Sequence, residues 1–359
     1  MIIELLRLSG IRSIKSAEME PDSGFNLLIG GNGSGKTSVL EAIYALSSGH
    51  SFRTRKPKEL ISHDADEYTF LCKCSDPESR QKHQIGLSRT RGGDLAVRVD
   101  FQPVNSIAEV SRLLPVKVIH PDSHSLVQEG PAFRRQFLDW GGFHVKHEFF
   151  SAWKAYRRAL SQRNLSLRLQ HPRNEVEAWN RDLIQYGSQL SQTRHEYVEM
   201  LKGEIPGIMD RFGLTTPISI HYQPGWSEEL DMATALAQSW DRCVKFRTTT
   251  VGPHRAEMSI KAQDKPARQV LSRGEQKLIV YGLHFAQLQH YNHTSENKAL
   301  MLLDDLSAEL DQQHASLVLE VLQAMDLQCF ITGNQPISLP SGASHKLFHV
   351  EHGRVLPVV

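Results

Sequence analysis

Eight consecutive residues, Gly30-Gly31-Asn32-Gly33-Ser34-Gly35-Lys36-Thr37, have the spacing of a phosphate-binding loop: a Gly, four residues, then Gly-Lys-Thr. Glycines let the backbone curl so that successive N–H groups face one point, and a helix start behind them adds partial positive charge there. Lys36 would reach the β- and γ-phosphates of a nucleoside triphosphate, and the Thr37 hydroxyl would hold Mg²⁺. A second group is Asp304-Asp305, which ends the apolar run Ala299-Leu300-Met301-Leu302-Leu303. A buried strand would deliver Asp304 to Mg²⁺. Asp305 would then sit where a carboxylate orients or deprotonates an attacking water. The same two acids could instead cap the helix that follows. A third group, Leu271-Ser272-Arg273-Gly274-Glu275, offers another anion-ready helix start. A chain with one phosphate loop has little use for a second anion site in the same subunit. The economical reading is that this one closes on the γ-phosphate held by another subunit, which would couple ATP to dimerisation.

The elements needed to position these groups are legible nearby. Phe25-Asn26-Leu27-Leu28-Ile29 reads as a buried strand before the loop, and 38–46 has apolar residues at helical spacing after it. Residues 2–8 and 11–20 read as strands across a turn, forming with 25–30 a sheet edge that leads into the loop. From 67 to 104 the apolar spacing shortens to two, with turn residues at Asp76-Pro77 and at 91–94, so an antiparallel meander is expected. Pro115 to Pro121 reads as one more buried strand.

Between them the character changes. A segment at 134–140 leads past Gly141-Gly142 into two helical patterns, about 147–170 and 174–203, broken at His171-Pro172. Phe149, Phe150, Trp153, Tyr156 and Leu160 share one face of the first pattern. Arg157, Arg158, Arg163, Arg168 and Arg173 make this hairpin locally basic; a solvated face and a DNA-facing arm both fit. The basic loop from Gly49 to Lys58, with Arg53, Arg55, Lys56 and Lys58, fits either phosphate contact or plain solvation. A strand at 217–222 and a helix at 228–246 follow.

Composition limits the alternatives. The 359 residues carry 41 basic and 40 acidic side chains, a net charge of +1, so any basic surface must be local. Four cysteines make no disulfide framework, and Cys72-x-Cys74 lacks a second pair at ligand spacing, so a zinc site is not expected. No apolar run approaches the ~20 residues of a membrane span, and the N-terminus lacks a signal-peptide pattern. A soluble cytoplasmic location is expected, with no membrane partner.

Taken together, the phosphate loop, the Leu-Ser-x-Gly-Glu signature and the strand ending in Asp-Asp, with Ala308-Glu309-Leu310-Asp311 after it, resemble the head domain of the ABC-type ATPases of chromosome maintenance. That group includes the SMC proteins and the Rad50 family. Lys36 and Asp304 are 268 residues apart (304 − 36), which leaves room for a short helical hairpin but not for a long coiled coil. Within the group this is similar to the RecF family. Ser51-Phe52-Arg53, the segment from Gly130-Pro131 through Arg134-Arg135 to Leu138-Asp139, and Gly252-Pro253-His254-Arg255 carry the same resemblance along most of the chain.

The resemblance implies an α/β fold: an ABC-type ATPase head, with a mixed sheet around the phosphate loop, plus an inserted helical lobe. The expected division is 1–129 and 236–359 for the head, with 130–235 for the lobe. It implies ATP and Mg²⁺ as ligands and an ATP-dependent homodimer on double-stranded DNA or its junction with single-stranded DNA. It also implies RecR and RecO as partners in loading RecA at gaps, in replication-fork maintenance and the response to DNA damage. By position, Gly30, Gly31, Asn32, Gly33, Ser34, Gly35, Lys36 and Thr37 match the ATP loop. Thr37 and Asp304 match the metal site, and Lys36 and Asp305 the catalytic pair. Ser272, Gly274 and Glu275 match the signature offered in trans, and Arg12 a nucleotide-side arginine.

Two departures stand out. Position 305 is Asp, one methylene shorter than the usual Glu, and Cys329-Phe330-Ile331-Thr332-Gly333-Asn334 lacks the switch His of transporter-type ATPases. Both predict slow hydrolysis. A transporter ATPase subunit, a small-molecule kinase and a clamp that binds ATP without turnover are the competing readings. The signature argues against the kinase, and the missing His and the hairpin argue against the transporter subunit.

Overall fold

The computed structural model describes residues 1–54, 56–77, 79–295 and 297–358. The chain divides into two units, 1–123 with 281–359 and 124–280. The first unit holds β1 (Ile2–Ile11), β2 (Ile14–Met19), β3 (Phe25–Ile29), β4 (Glu67–Ser75), β5 (Lys82–Thr90), β6 (Leu95–Val99), β7 (Gln102–Pro103) and β8 (Val116–Ile119). The second holds β9 (Ile218–Gln223), β10 (Glu257–Ala262) and β11 (Lys265–Pro266). The chain then returns to the first with β12 (Leu300–Leu303), β13 (Cys329–Gly333), β14 (His345–Glu351) and β15 (Arg354–Val358).

Two six-stranded sheets form the first unit. One is antiparallel, in the order β2-β1-β4-β5-β6-β7, and contains the expected meander. The other runs β15-β14-β3-β13-β12-β8 and is parallel from β14 to β8. β3 therefore does not share a sheet edge with β1 and β2. It lies inside the parallel sheet: Phe25 to Leu28 are all buried, and the one polar residue among them, Asn26, donates its amide to the Asp22 and Cys329 carbonyls at 2.9 and 3.3 Å, so the strand can be covered on both sides. β12 and β13 are buried along their whole length for the same reason. The phosphate-loop helix, Lys36–Ser48, packs Val39, Leu40, Ile43 and Leu46 into one core with Ile3, Leu6 and Phe70 of the antiparallel sheet and Leu302, Phe330 and Phe348 of the parallel one.

The second unit is mostly helical. Pro131–Val145 is one continuous helix that takes in both the 134–140 segment and Gly141-Gly142. Neighbouring rings explain the pair: a Cβ on Gly141 would lie 2.0 Å from the Tyr197 ring, and one on Gly142 2.6 Å from that of Phe149. The hairpin consists of Phe149–Arg168 and Asn180–Arg211, with a short helix, Arg173–Glu177, between them. Phe149, Tyr156, Leu183, Leu190 and Met232 share its core. The expected helix at 228–246 is two, Met232–Gln238 and Trp240–Phe246, parted at Ser239, whose hydroxyl donates to the Leu236 carbonyl at 2.9 Å. This unit takes in the stretch 130–235 and continues to Val280, because β9 pairs with β10 in antiparallel register, Ile220 opposite Ile260. That long-range pairing leaves no local trace in the sequence. Among the described residues no helix is long and apolar enough to cross a membrane, and all four cysteines are buried and free.

Candidate nucleotide site

β3, β13 and β12 are adjacent and parallel, so their carboxyl ends open at one edge of the sheet. Ligands of open α/β sheets bind at that edge. There the chain places the loop 30–37 after β3, Thr332-Gly333-Asn334 at the end of β13 and just beyond it, and Asp304-Asp305 after β12.

The loop is built for an anion. Gly30 sits against the β14 backbone, and a Cβ there would lie 2.1 Å from the Val350 carbonyl oxygen, so no other residue fits. Gly35 is left-handed (φ 115°) at the start of the helix Lys36–Ser48. That helix has no side-chain cap and no acid in its first turn, so its N–H groups and dipole face outward uncompensated. Nothing stands over Gly31 or Gly33. The Ser34 hydroxyl is buried with no partner among the described residues, a further polar group available to a ligand.

Lys36 is nearly buried, and its ammonium folds back onto the loop. Nζ donates to the Gly30 and Gly31 carbonyls at 2.7 and 2.8 Å, and to Asn334 Oδ1 at 3.2 Å. Burial lowers its pKa, while the charges of Asp305 and Asp304 pull it back up. The cation thus sits on carbonyls that a phosphate oxygen would replace as its partner.

The two acids have separate environments. Asp304 Oδ1 accepts from the Thr37 and Thr332 hydroxyls, both at 2.8 Å. Asp305 is left-handed (φ 60°, ψ 45°) and gives no side-chain cap to the short helix Leu306–Glu309, so capping does not explain it. Its N–H donates to Thr332 Oγ1 at 2.8 Å, and its Oδ1 is buried with no partner among the described residues. Desolvation raises its pKa, with Asp304 adding to the rise and Lys36 opposing it. Aspartate tolerates a left-handed backbone, so what points to a function here is the buried oxygen without a partner among the described residues. These features fit Mg²⁺ between Thr37 and Asp304, and a water beside Asp305.

Arg12 is engaged elsewhere. Its Nε and one terminal nitrogen donate to the Glu41 carboxylate at 3.1 and 2.9 Å, and the other terminal nitrogen donates to the Glu59 carbonyl at 2.6 Å. Glu41 is wholly buried on the phosphate-loop helix, where it also takes the Ser51 hydroxyl at 2.5 Å. Arg12 thereby ties the basic loop to that helix, and a nucleotide-side role would require it to leave a buried carboxylate. Arg55 of that loop lies outside the described residues.

The signature residues lie in the second unit. Ser272 precedes the helix Arg273–Thr294 and forms a capping box with Glu275. The Ser272 N–H and hydroxyl donate to Glu275 Oε2 at 2.8 and 2.7 Å, and the Glu275 N–H donates to Ser272 Oγ at 3.3 Å. The two bonds from Ser272 hold the Glu275 carboxyl below its usual range. Ser272 and Gly274 are exposed.

Thr332 and Asn334 are site residues that the motifs did not single out. The signal was their place at the end of, and just beyond, a buried strand parallel to the phosphate-loop strand. That stretch is where transporter-type ATPases place their switch His.

A family profile described as RecF/RecN/SMC N terminal domain matches residues 2–353. The DNA replication and repair protein RecF of Shewanella piezotolerans is 37% identical over 358 residues, 99% of each chain. Among solved structures, the recombination mediator protein RecF bound to ATPrS, of the RecFOR pathway, superposes with a TM-score of 0.89 at 23% identity, covering 99% of this chain and 98% of that one. Its ATP-bound counterpart gives 0.88 at 24% identity, covering 100% and 98%.

Proposed function

From the premise that the chain belongs to the RecF family of DNA replication and repair proteins, we propose that it is an ATP-dependent DNA-binding protein of recombinational repair and replication-fork maintenance. It binds ATP, dimerises on it in the cytoplasm, and holds duplex DNA or its junction with single-stranded DNA. With RecR and RecO it helps load RecA at gaps. The relatives named above support this reading, as does the solved RecF of the RecFOR pathway with ATP.

One observation carries the enzymatic part: a bare helix start and an inward-turned Lys36 share a sheet edge with two carboxylates, Asp304 buried and Asp305 half-buried, and one oxygen of Asp305 has no partner among the described residues. ATP enters with its β- and γ-phosphates over the N–H groups of the loop. Lys36 exchanges the Gly30 and Gly31 carbonyls for phosphate oxygens, and Asn334 stays within reach to keep it aligned. Mg²⁺, held by Thr37 and Asp304, would supply charge neutralisation at those oxygens. Asp305 accepts a hydrogen bond from the attacking water and takes its proton as the new P–O bond forms, while the bond to the β-phosphate oxygen breaks and ADP leaves. Ser272 and Gly274 of a second copy close on the γ-phosphate. For Ser272 this means moving its hydroxyl from the Glu275 carboxylate to a phosphate oxygen.

The short acid and the absence of a switch His make hydrolysis slow, so that it times release from DNA. A phosphate-release assay with Mg²⁺-ATP and duplex DNA tests this. Turnover well below the ~10 s⁻¹ median of enzymes is expected, with DNA dissociation following hydrolysis. Turnover well above that median, or DNA release unaffected when hydrolysis is blocked, would overturn it.

A further inference from the structure

Cations in this chain are nearly matched by acids, yet one surface is not. The helix Phe149–Arg168 contains no Asp or Glu among its 20 residues and carries Lys154, Arg157, Arg158, Arg163 and Arg168. The structure sorts these five. Arg163 is fully buried and donates to Asn180 and Thr249 at 2.9 and 2.8 Å, so it belongs to the core. The other four are exposed, and none has a carboxylate partner among the described residues. Arg173, just beyond, differs: it pairs with Glu177 at 2.8 Å.

The helical period puts Lys154, Arg157, Arg158 and Arg168 within an arc of about 100°, opposite the buried Ala152, Tyr156, Ala159 and Arg163. At 1.5 Å per residue the stripe from 154 to 168 is about 21 Å long. Arg157 lies over the Trp153 ring at 4.7 Å and Lys154 over Phe150 at 5.4 Å, which fixes the stems. Lys154 and Arg158 are four apart, a like-charge pair that destabilises a helix surface instead of supporting it. An ordinary solvated helix mixes signs, as Asn180–Arg211 does in the same hairpin, with Asp182, Glu196, Glu199, Glu204 and Asp210 among its cations. The stripe is thus a self-repelling row of cations that an extended polyanion would relieve. A duplex carries one phosphate charge per about 1.7 Å of axis with both strands counted, so about 12 lie around this length, and those on the near side meet the four cations.

We propose that the solvent face of Phe149–Arg168 is a docking surface for the phosphate backbone of duplex DNA, contacted through Lys154, Arg157, Arg158 and Arg168. It reads charge and spacing, with no base contacts. This rests on the DNA-binding reading given above and adds where the duplex lies on the second unit.

The test is a fluorescence-anisotropy titration of a labelled 30-base-pair duplex with Mg²⁺-ATP over a series of salt concentrations. It compares the wild type, a Lys154→Gln/Arg158→Gln/Arg168→Gln variant, and Arg173→Gln. Each phosphate left without its cation should lower the log–log salt slope by about 0.9, so the triple variant should lose about 2.7 in slope and at least tenfold in affinity at 0.1 M salt. Arg173→Gln should change neither. The thermal midpoint of the triple variant should not fall, since a repulsion has been removed. If it does fall, the single variants decide, each expected to lower the slope by about one. Wild-type binding with an unchanged slope in the variants would overturn this inference alone. No duplex binding by the wild type would overturn the DNA-binding reading and this inference with it.

Discussion

Two helices of this chain begin with a glycine-containing turn, and the two starts are finished in opposite ways. The helix Lys36–Ser48 has no cap and no acid in its first turn, and what occupies its loop is its own cation, Lys36, resting on carbonyls. The helix Arg273–Thr294 is closed by its own anion, with Glu275 accepting two bonds from Ser272. The first start lacks only a phosphate, and gains both a dipole partner and a salt-bridge partner when one arrives. The second is complete as it stands. It contributes to a phosphate only through groups that can be spared, the Ser272 hydroxyl and the exposed Gly274. On the function proposed above, one subunit holds a nucleotide alone, and the signature would add affinity only when a second copy brings a phosphate that is already bound.

The largest effect that can break this contrast is at Lys36. Lys36→Ala removes two charge-assisted bonds to phosphate, each worth about 1.5–3 kcal/mol. ATP affinity measured by calorimetry should fall by about 100-fold or more. Lys36→Arg should keep much of the affinity but not the hydrolysis, because a planar fork cannot replace a point donor at the γ-phosphate. Wild-type turnover in Lys36→Arg would remove the role given to this lysine.

Asp305→Asn comes next. Turnover should drop by about 10²–10⁴, the range of a lost general base, with ATP binding retained. The sign of the pH effect follows from the raised carboxyl pKa. Protonated Asp305 cannot accept a proton, so the activity of the wild type should fall at a higher pH than an ordinary aspartate would give. The same raised pKa means that the folded state binds this proton more tightly than the unfolded state does. Stability from it is present below the unfolded pKa and lost as pH rises through the folded one. At neutral pH the Asn variant should therefore melt higher than wild type, and the gain should vanish in acid.

The smallest effect sharpens the contrast from the other side. Glu275→Ala opens the capping box and should cost about 0.3–1.5 kcal/mol, a fall of a few degrees in the thermal midpoint. ATP affinity of the single subunit should not change. A large loss of affinity in the isolated subunit would mean that the signature serves its own chain.

Much of the nucleotide site was legible because its parts are local. The loop, its strand and its helix are contiguous, and the apolar run before Asp304 needs no partner to be read as buried. Asp305 was harder: carboxylate pairs also cap helices, and only the left-handed backbone and unpartnered oxygen tell the two roles apart. Arg12 could not be placed from sequence, since its partner Glu41 is 29 positions away and buried. The same holds for β3, assigned by proximity to the edge of β1 and β2 but held by β13 and β14. The need for glycine at 141 and 142 shows only once the Tyr197 and Phe149 rings are seen against them. Of the arginines in the hairpin, sequence supplied the count; burial of Arg163 and the ion pair of the exposed Arg173 decide which ones stand unpaired in solvent.

The most direct test of the contrast is the mass of the protein in solution without nucleotide, with Mg²⁺-ADP and with Mg²⁺-ATP, for the wild type and for Ser272→Arg. The account predicts a dimer of the wild type with Mg²⁺-ATP only, and a monomeric Ser272→Arg that still binds ATP. A monomer under every condition, or an ATP-dependent dimer that survives Ser272→Arg, would contradict it.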